Sequence, residues 1–245
     1  MEDIMKSKLF GISSIMVIIL IVFTSCETIS ELNLSNLPGF STSEVPLDED
    51  TVILGLKEAL EIGTRNAVDF LSVKNGFYKN PEVKIILPEE LEKIDTALRK
   101  IGLSKKMDEF EETMNHAAED ASVMATDIFV NAITNMSFSA AWDILNGSDD
   151  AATRYLEYNY RKDLYKEFFP VVKNAMDNVG LTQIYKYILT KYNSIPFIEK
   201  QKYDLDIYIT NRALDAMFLI VEREEVSIRI DPAARVSDLL KKVFK

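Results

Sequence analysis

The chain has 245 residues, a formal net charge of −11, one Cys and one His. One cysteine excludes an internal disulfide and any Cys-built zinc or iron–sulfur centre, and one histidine excludes sites that need two or three imidazoles. The negative balance argues against nucleic-acid binding, which needs a basic footprint, while 47% hydrophobic residues is a globular composition.

Residues 1–25 read as an export signal. Lys6 and Lys8 precede an apolar run from Leu9 to Phe23. A spanning helix needs about 20 apolar residues, so this run is short for a permanent anchor. Glu2 and Asp3 sit badly in a basic leader, and translation is expected to start at Met5. Val22-Phe23-Thr24-Ser25-Cys26 resembles a bacterial lipobox. That resemblance implies cleavage before Cys26 and acylation of its sulfur. Each buried acyl CH₂ contributes about 0.8 kcal/mol, so two or three chains anchor where one does not.

Residues 26–47 carry the anchor and then Ser, Thr, Asn, Pro and Gly without a sustained period, which predicts a flexible tether. An acidic body is repelled by anionic lipid and is expected to stand off on that tether. Glu27 follows the anchor where an Asp would retain some lipoproteins in the inner membrane, which leans the expected location to the outer membrane.

From residue 48 to 245 the helical period dominates. Asp48-Glu49-Asp50 starts a helix whose stripe is Val52, Leu56, Ala59, Leu60, Gly63, Ala67, Phe70 and Leu71, ending near Asn75-Gly76. Residues 77–88 predict a packed loop. Pro88 opens a helix that runs to Ile101-Gly102, with Leu91, Ile94, Leu98 and Ile101 as its inward stripe. Ser104 is expected to cap one long helix over 105–135, and Ser137 a short one carrying Trp142. Ser148-Asp149-Asp150 is expected to cap a helix over 149–179, kinked or broken near Phe169 by Pro170 and stopped by Gly180. Further helices are predicted over 181–193, 205–229 and 233–244. About eight helices without a strand ladder define an all-α fold in one multi-helix domain.

Few residues suggest chemistry. His116 has Glu112 at i−4 and Asp120 at i+4, with Glu119 at i+3, a face that could hold one metal ion or run acid–base chemistry. The same pattern suits a solvated face with local pairing. Tyr155, Tyr158, Tyr165 and Phe169 share a helix face and could line a pocket for an amphiphile, or could form core with their hydroxyls at the rim. Glu225 and Arg229 make an i, i+4 pair on an expected solvated surface, although Arg229, Asp231, Arg235 and Asp238 could pin the last helix. No nucleophile elbow, phosphate loop or calcium loop is present in the sequence, and no cofactor is expected.

Several segments together resemble a known family. They are Gly55-Leu56-Lys57-Glu58-Ala59-Leu60, Asn80-Pro81 with Leu87-Pro88, Met114-Asn115 with Ala117-Ala118-Glu119, and Asp149 to Tyr155. Ala213-Leu214-Asp215, Glu224-Glu225, Ile228-Arg229, Asp231 to Arg235 and Asp238 to Phe244 complete the set. In this order they resemble the bacterial envelope family called domain of unknown function 4197, over about residues 51–245. The resemblance implies an exported single-domain body and transfers no catalytic residue. It also implies Arg where this chain has His116 and Asp where it has Ala140.

The expected function is therefore that of a lipid-anchored envelope protein facing the periplasm. It meets a membrane through lipidated Cys26 and works as a non-catalytic interaction or structural module with an envelope protein as partner. One alternative is a carrier of a hydrophobic or amphiphilic ligand in a Tyr- and Met-lined helical cavity. A hydrolase-type enzyme is a further alternative.

Overall fold

The computed structural model describes residues 46–199 and 202–245. The expected export signal, Cys26 and most of the expected tether lie outside the described residues. Among the described residues there are nine α-helices and no strand. They are α1 (Glu49–Leu71), α2 (Glu89–Lys100), α3 (Ser104–Ser122), α4 (Ala125–Asn135) and α5 (Ala141–Leu145). Then follow α6 (Ala151–Asn178), α7 (Leu181–Asn193), α8 (Leu205–Ile230), a 3₁₀ turn (Pro232–Ala234) and α9 (Asp238–Val243). Residues 47–245 form one compact unit.

The core is organised around α1 and α8, which share the largest interface, with α6 packed on α8 and α3 on α6. α1 starts because Asp48 accepts the Thr51 N–H, a bond that holds the Asp48 carboxyl below its ordinary value. Its predicted stripe is buried from Val52 to Leu71, except Phe70, which faces solvent. Gly63 lets α1 approach Val221 and Glu224 of α8, and Gly55 faces Val243 of α9. A Cβ at position 55 would stand 2.6 Å from Val243 Cγ2. Gly55→Ala should therefore lower stability by about 1–3 kcal/mol through overpacking, despite the better helix propensity of Ala. Urea unfolding monitored by circular dichroism checks this.

Gly102 (φ 89°) and Gly180 (φ 79°) end α2 and α6 in the left-handed region that other residues avoid. Residues 72–88 are an ordered loop that buries Phe77, Val83 and Ile85.

Four local expectations need correction. The predicted helix over 105–135 is two helices, α3 and α4, broken at Val123 and Met124. Buried Ser122 gives its hydroxyl proton to the Ala118 carbonyl, and the Met124 N–H turns back to Ala121, so the helix tightens and bends there. Ser104 is already helical, and Leu103 takes the cap position without a side-chain bond. Ser137 caps nothing: α5 starts after Ala140. Pro170 does not break α6, which runs through it. Pro170 and Lys166 are both exposed, so water can serve the carbonyl that loses its partner.

Candidate functional site

Two buried carboxylates organise the fold, and both act on backbone groups far away in sequence. Glu119 of α3 is 5% exposed and accepts three N–H groups of the 72–88 loop. Asn75 donates to Oε2 at 3.0 Å, while Phe77 and Tyr78 donate to Oε1 at 3.1 and 3.2 Å. One turn earlier Asn115 accepts the Ile85 N–H at 2.8 Å and donates to the Ile85 carbonyl at 2.9 Å. Around the rim, Arg223 of α8 grips Glu82 through two bonds, Lys84 pairs with Glu111, and Tyr208 donates to the Ile86 carbonyl. The bidentate Arg223 grip holds the Glu82 carboxyl below its ordinary value. The loop is long, yet it is tied to two helices, α3 and α8.

The second carboxylate is Glu225 of α8, with 0% exposure. It accepts the Ala152 N–H at 3.0 Å, and the Thr153 N–H and hydroxyl at 2.6 Å each. These are first-turn donors of α6. The expected cap, Asp150, does not serve them because its carboxylate is engaged by the Ser148 hydroxyl and Arg154. Arg229, one turn on from Glu225, donates to Glu225 at 2.9 Å and to the carbonyls of Leu145 and Ile144 at 2.7 and 3.1 Å. It thereby closes the C-terminus of α5. Arg235 in turn donates to the carbonyls of Ile228 and Arg229 at the end of α8. Glu225 and Arg229 are thus a buried clamp on the α5–α6 corner, not the solvated pair expected from their spacing. Arg235 serves the end of α8, and Asp231 caps the 3₁₀ turn through Ala233.

The predicted polar site is only partly assembled. His116 lies 4.0 Å from Glu112 and 3.8 Å from Glu119, with Tyr78 edge-on at 6.3 Å. Its Nε2 is buried without a hydrogen bond. Asp120 is exposed, and the second carboxylate beside His116 is Glu119, one residue earlier. Glu119 is already committed to three loop amides. Among the described residues no group of three or more His, Cys, Asp or Glu is placed to hold a metal ion.

The aromatic stripe of α6 does not enclose a common pocket. Tyr158 is 91% exposed. Tyr155 stacks on Phe138 and donates to the Ser137 carbonyl, while Tyr165 stacks on Phe169 further along. The buried face of α6 is instead Ala152, Leu156, Leu164, Phe168, Val172 and Met176. A hollow does exist elsewhere. It opens between the end of α6, the start of α7 and the start of α8, with a volume of about 260 Å³. Met176, Tyr185, Tyr203 and Leu205 form its walls, and Lys173, Asp177, Thr182, Asp204 and Asp206 add polar groups. Tyr185 stacks on Phe110 and donates its hydroxyl to the Tyr203 carbonyl at 2.8 Å. Tyr203, ten residues past α7, faces Tyr185 because of the way the chain returns to α8, and no local pattern in the sequence signals that pairing.

Burial is the main force that pushes the Tyr185 hydroxyl up to about 12, with Asp204 and Asp206 adding repulsion. A phenol is neutral when protonated, and its ordinary value is 10.0. The favourable contribution of Tyr185 is therefore intact below pH 10.0 and fades as the pH rises from there to about 12. An ultraviolet titration should show one late tyrosinate step that vanishes in Tyr185→Phe, and the variant should lose less stability across that range.

The helices and their clamps define an all-α domain in a single body. Residues 46–245 match the family described as protein of unknown function DUF4197, and the chain belongs to that family. No curated protein and no solved structure matches the chain. Asn115, Glu119, Glu225, Arg229 and Arg235, which belong to the segments that carry the family resemblance, are the residues spent on backbone groups. Ala140 occupies the N-cap position of α5. An Asp at that position would sit where helix caps sit.

Proposed function

We propose that this protein is a lipid-anchored envelope component whose helical body is a non-catalytic interaction module. The observation that carries this reading is an exposed apolar depression at the end of α1. Phe70 and Val73 are 49% and 55% exposed there. Together with Asp69, Asn75, Gly76, Lys79 and Asn80 they line a shallow hollow of about 400 Å³. Apolar side chains ringed by polar ones are the usual anatomy of a protein contact. The rim is preformed: Asn75 is held in the left-handed region (φ 67°), with its N–H fixed by Glu119. A rigid rim lowers the ordering cost of docking.

Anchoring through Cys26 and exposure to the periplasm are part of this proposal. Their support is the lipobox-like sequence alone. Cys26→Ser should move the protein out of the membrane fraction, and an unchanged membrane fraction would sink the anchor.

The contact surface is tested separately, by photo-crosslinking in the living cell. A photoreactive residue at position 70 or 73 should give one discrete adduct with a second protein. The same residue at Tyr158, which is more exposed, should give none. Equal labelling at all three positions would show that exposure alone governs the capture, and the reading would fall.

The hollow walled by Met176, Tyr185 and Tyr203 favours a second reading, a carrier of a small hydrophobic or amphiphilic ligand. It has the expected side-chain chemistry at a different place from the α6 stripe.

A further inference from the structure

We infer that the hollow between α6, α7 and α8 binds a small organic ammonium ion, its apolar part against Met176, Leu205, Tyr185 and Tyr203 and its charge toward Asp177 and Asp204. This rests on the carrier reading and names the class of ligand. Size comes first. At about 30 Å³ per water in the liquid, a volume of 260 Å³ corresponds to roughly nine non-hydrogen atoms. Acyl lipids are far too large to be enclosed there.

Charge then selects among small ligands. The lining holds three carboxylates and one amine. Lys173 stands 3.8 Å from Asp206 and 5.5 Å from the Phe169 ring, so its charge is set against Asp206. Asp177 and Asp204 then leave the hollow negative. An anion would normally be drawn to the starts of α7 and α8, where N–H groups point outward. Carboxylates already stand at both. Asp177 accepts the hydroxyl of Thr182 in the first turn of α7, and Asp206 accepts the Ile207 N–H in the first turn of α8. A neutral ligand would strip water from carboxylates and return at most a hydrogen bond without charge. A cation restores that lost interaction and also gains from the aromatic faces. The upward push on the Tyr185 hydroxyl from Asp204 and Asp206 reports the same negative field from inside the wall.

Three probes of similar size separate the possibilities: phenethylammonium, 2-phenylethanol and phenylacetate. Each is titrated into the full chain and followed by two-dimensional NMR. For a nine-atom ligand a Kd of about 1 mM is expected. Phenethylammonium should saturate at that level, with the largest shifts at Thr182, Tyr185 and Leu205. Asp204→Asn should weaken it about fivefold or more with the helical circular dichroism unchanged. Position 204 is a helix N-cap, which Asn suits as well as Asp. Phenylacetate should not bind. If the alcohol binds as well as the ammonium and Asp204→Asn changes neither, the ammonium class is overturned and the carrier reading survives. If none of the three saturates, both are overturned.

Discussion

Glu225→Ala should be the most damaging single substitution outside the apolar core. It leaves Arg229 buried without its counter-ion and strips the first-turn donors of α6 of their acceptor. Breaking a buried pair in this way costs about 3–5 kcal/mol. For a body of this size the melting temperature should fall by on the order of 10 °C. A double variant, Glu225→Leu with Arg229→Met, gives the sharper test. Were the two side chains only an ion pair, apolar replacement of both would restore most of the stability. Here the N–H groups of Ala152 and Thr153 and the carbonyls of Ile144 and Leu145 still lose their partners. Calorimetry should therefore find the double variant nearly as unstable as Glu225→Ala. Recovery to within about 1 kcal/mol of the parent would show that the capping contributes little.

Glu119 should behave differently, because it holds a loop and not a helix corner. Glu119→Ala removes the acceptor of three amides and should cost about 3 kcal/mol. The effect should be local as well as global. Native-state hydrogen exchange should speed up first at Asn75, Phe77 and Tyr78. Glu119→Gln is more selective. Its one carbonyl oxygen can still serve Phe77 and Tyr78, which share Oε1, while its amide nitrogen would face the Asn75 N–H. Loss of protection at Asn75 alone is the expected signature. Uniform loss at all three amides would mean that the carboxylate charge, not its two-oxygen geometry, holds the loop.

Where burial follows helical periodicity, sequence alone was a sufficient guide. The stripes of α1 and α2 fell where the apolar residues recur, except Phe70 and Ile101, which face solvent, and the loop over 77–88 stayed irregular with Phe77, Val83 and Ile85 inside and Ile86 outside. The failures share one cause. Ser104, Ser137 and Asp150 look like caps because cap chemistry is local in most helices. In this chain the cap of α6 comes from a residue 72 positions later, and no local pattern can announce it. The same holds for Glu225 and Arg229: an i, i+4 ion pair reads identically on a wet surface and in a core. Glu119 and Asp120 both stand about one turn from His116 in sequence, and only the fold shows that Glu119 is on the buried side of α3. The tyrosines of α6 were spaced correctly for one face, but that face lies on the flank of the helix. The ligand-sized hollow needed Tyr203, whose position depends on how the chain returns from α7 to α8.

The long reach of the corner clamp also bears on how the chain is made. Synthesis delivers α5 and α6 well before Glu225 and Arg229 exist. Until they arrive, the first donors of α6 and the last carbonyls of α5 have only water, and α1 lacks its main packing partner in α8. The body therefore cannot be completed stepwise from its N-terminus. It must wait for nearly the whole polypeptide, so the emerging chain stays threadable for most of its synthesis. For the export proposed above, that delay would keep the chain unfolded during passage and leave its folding to the far side.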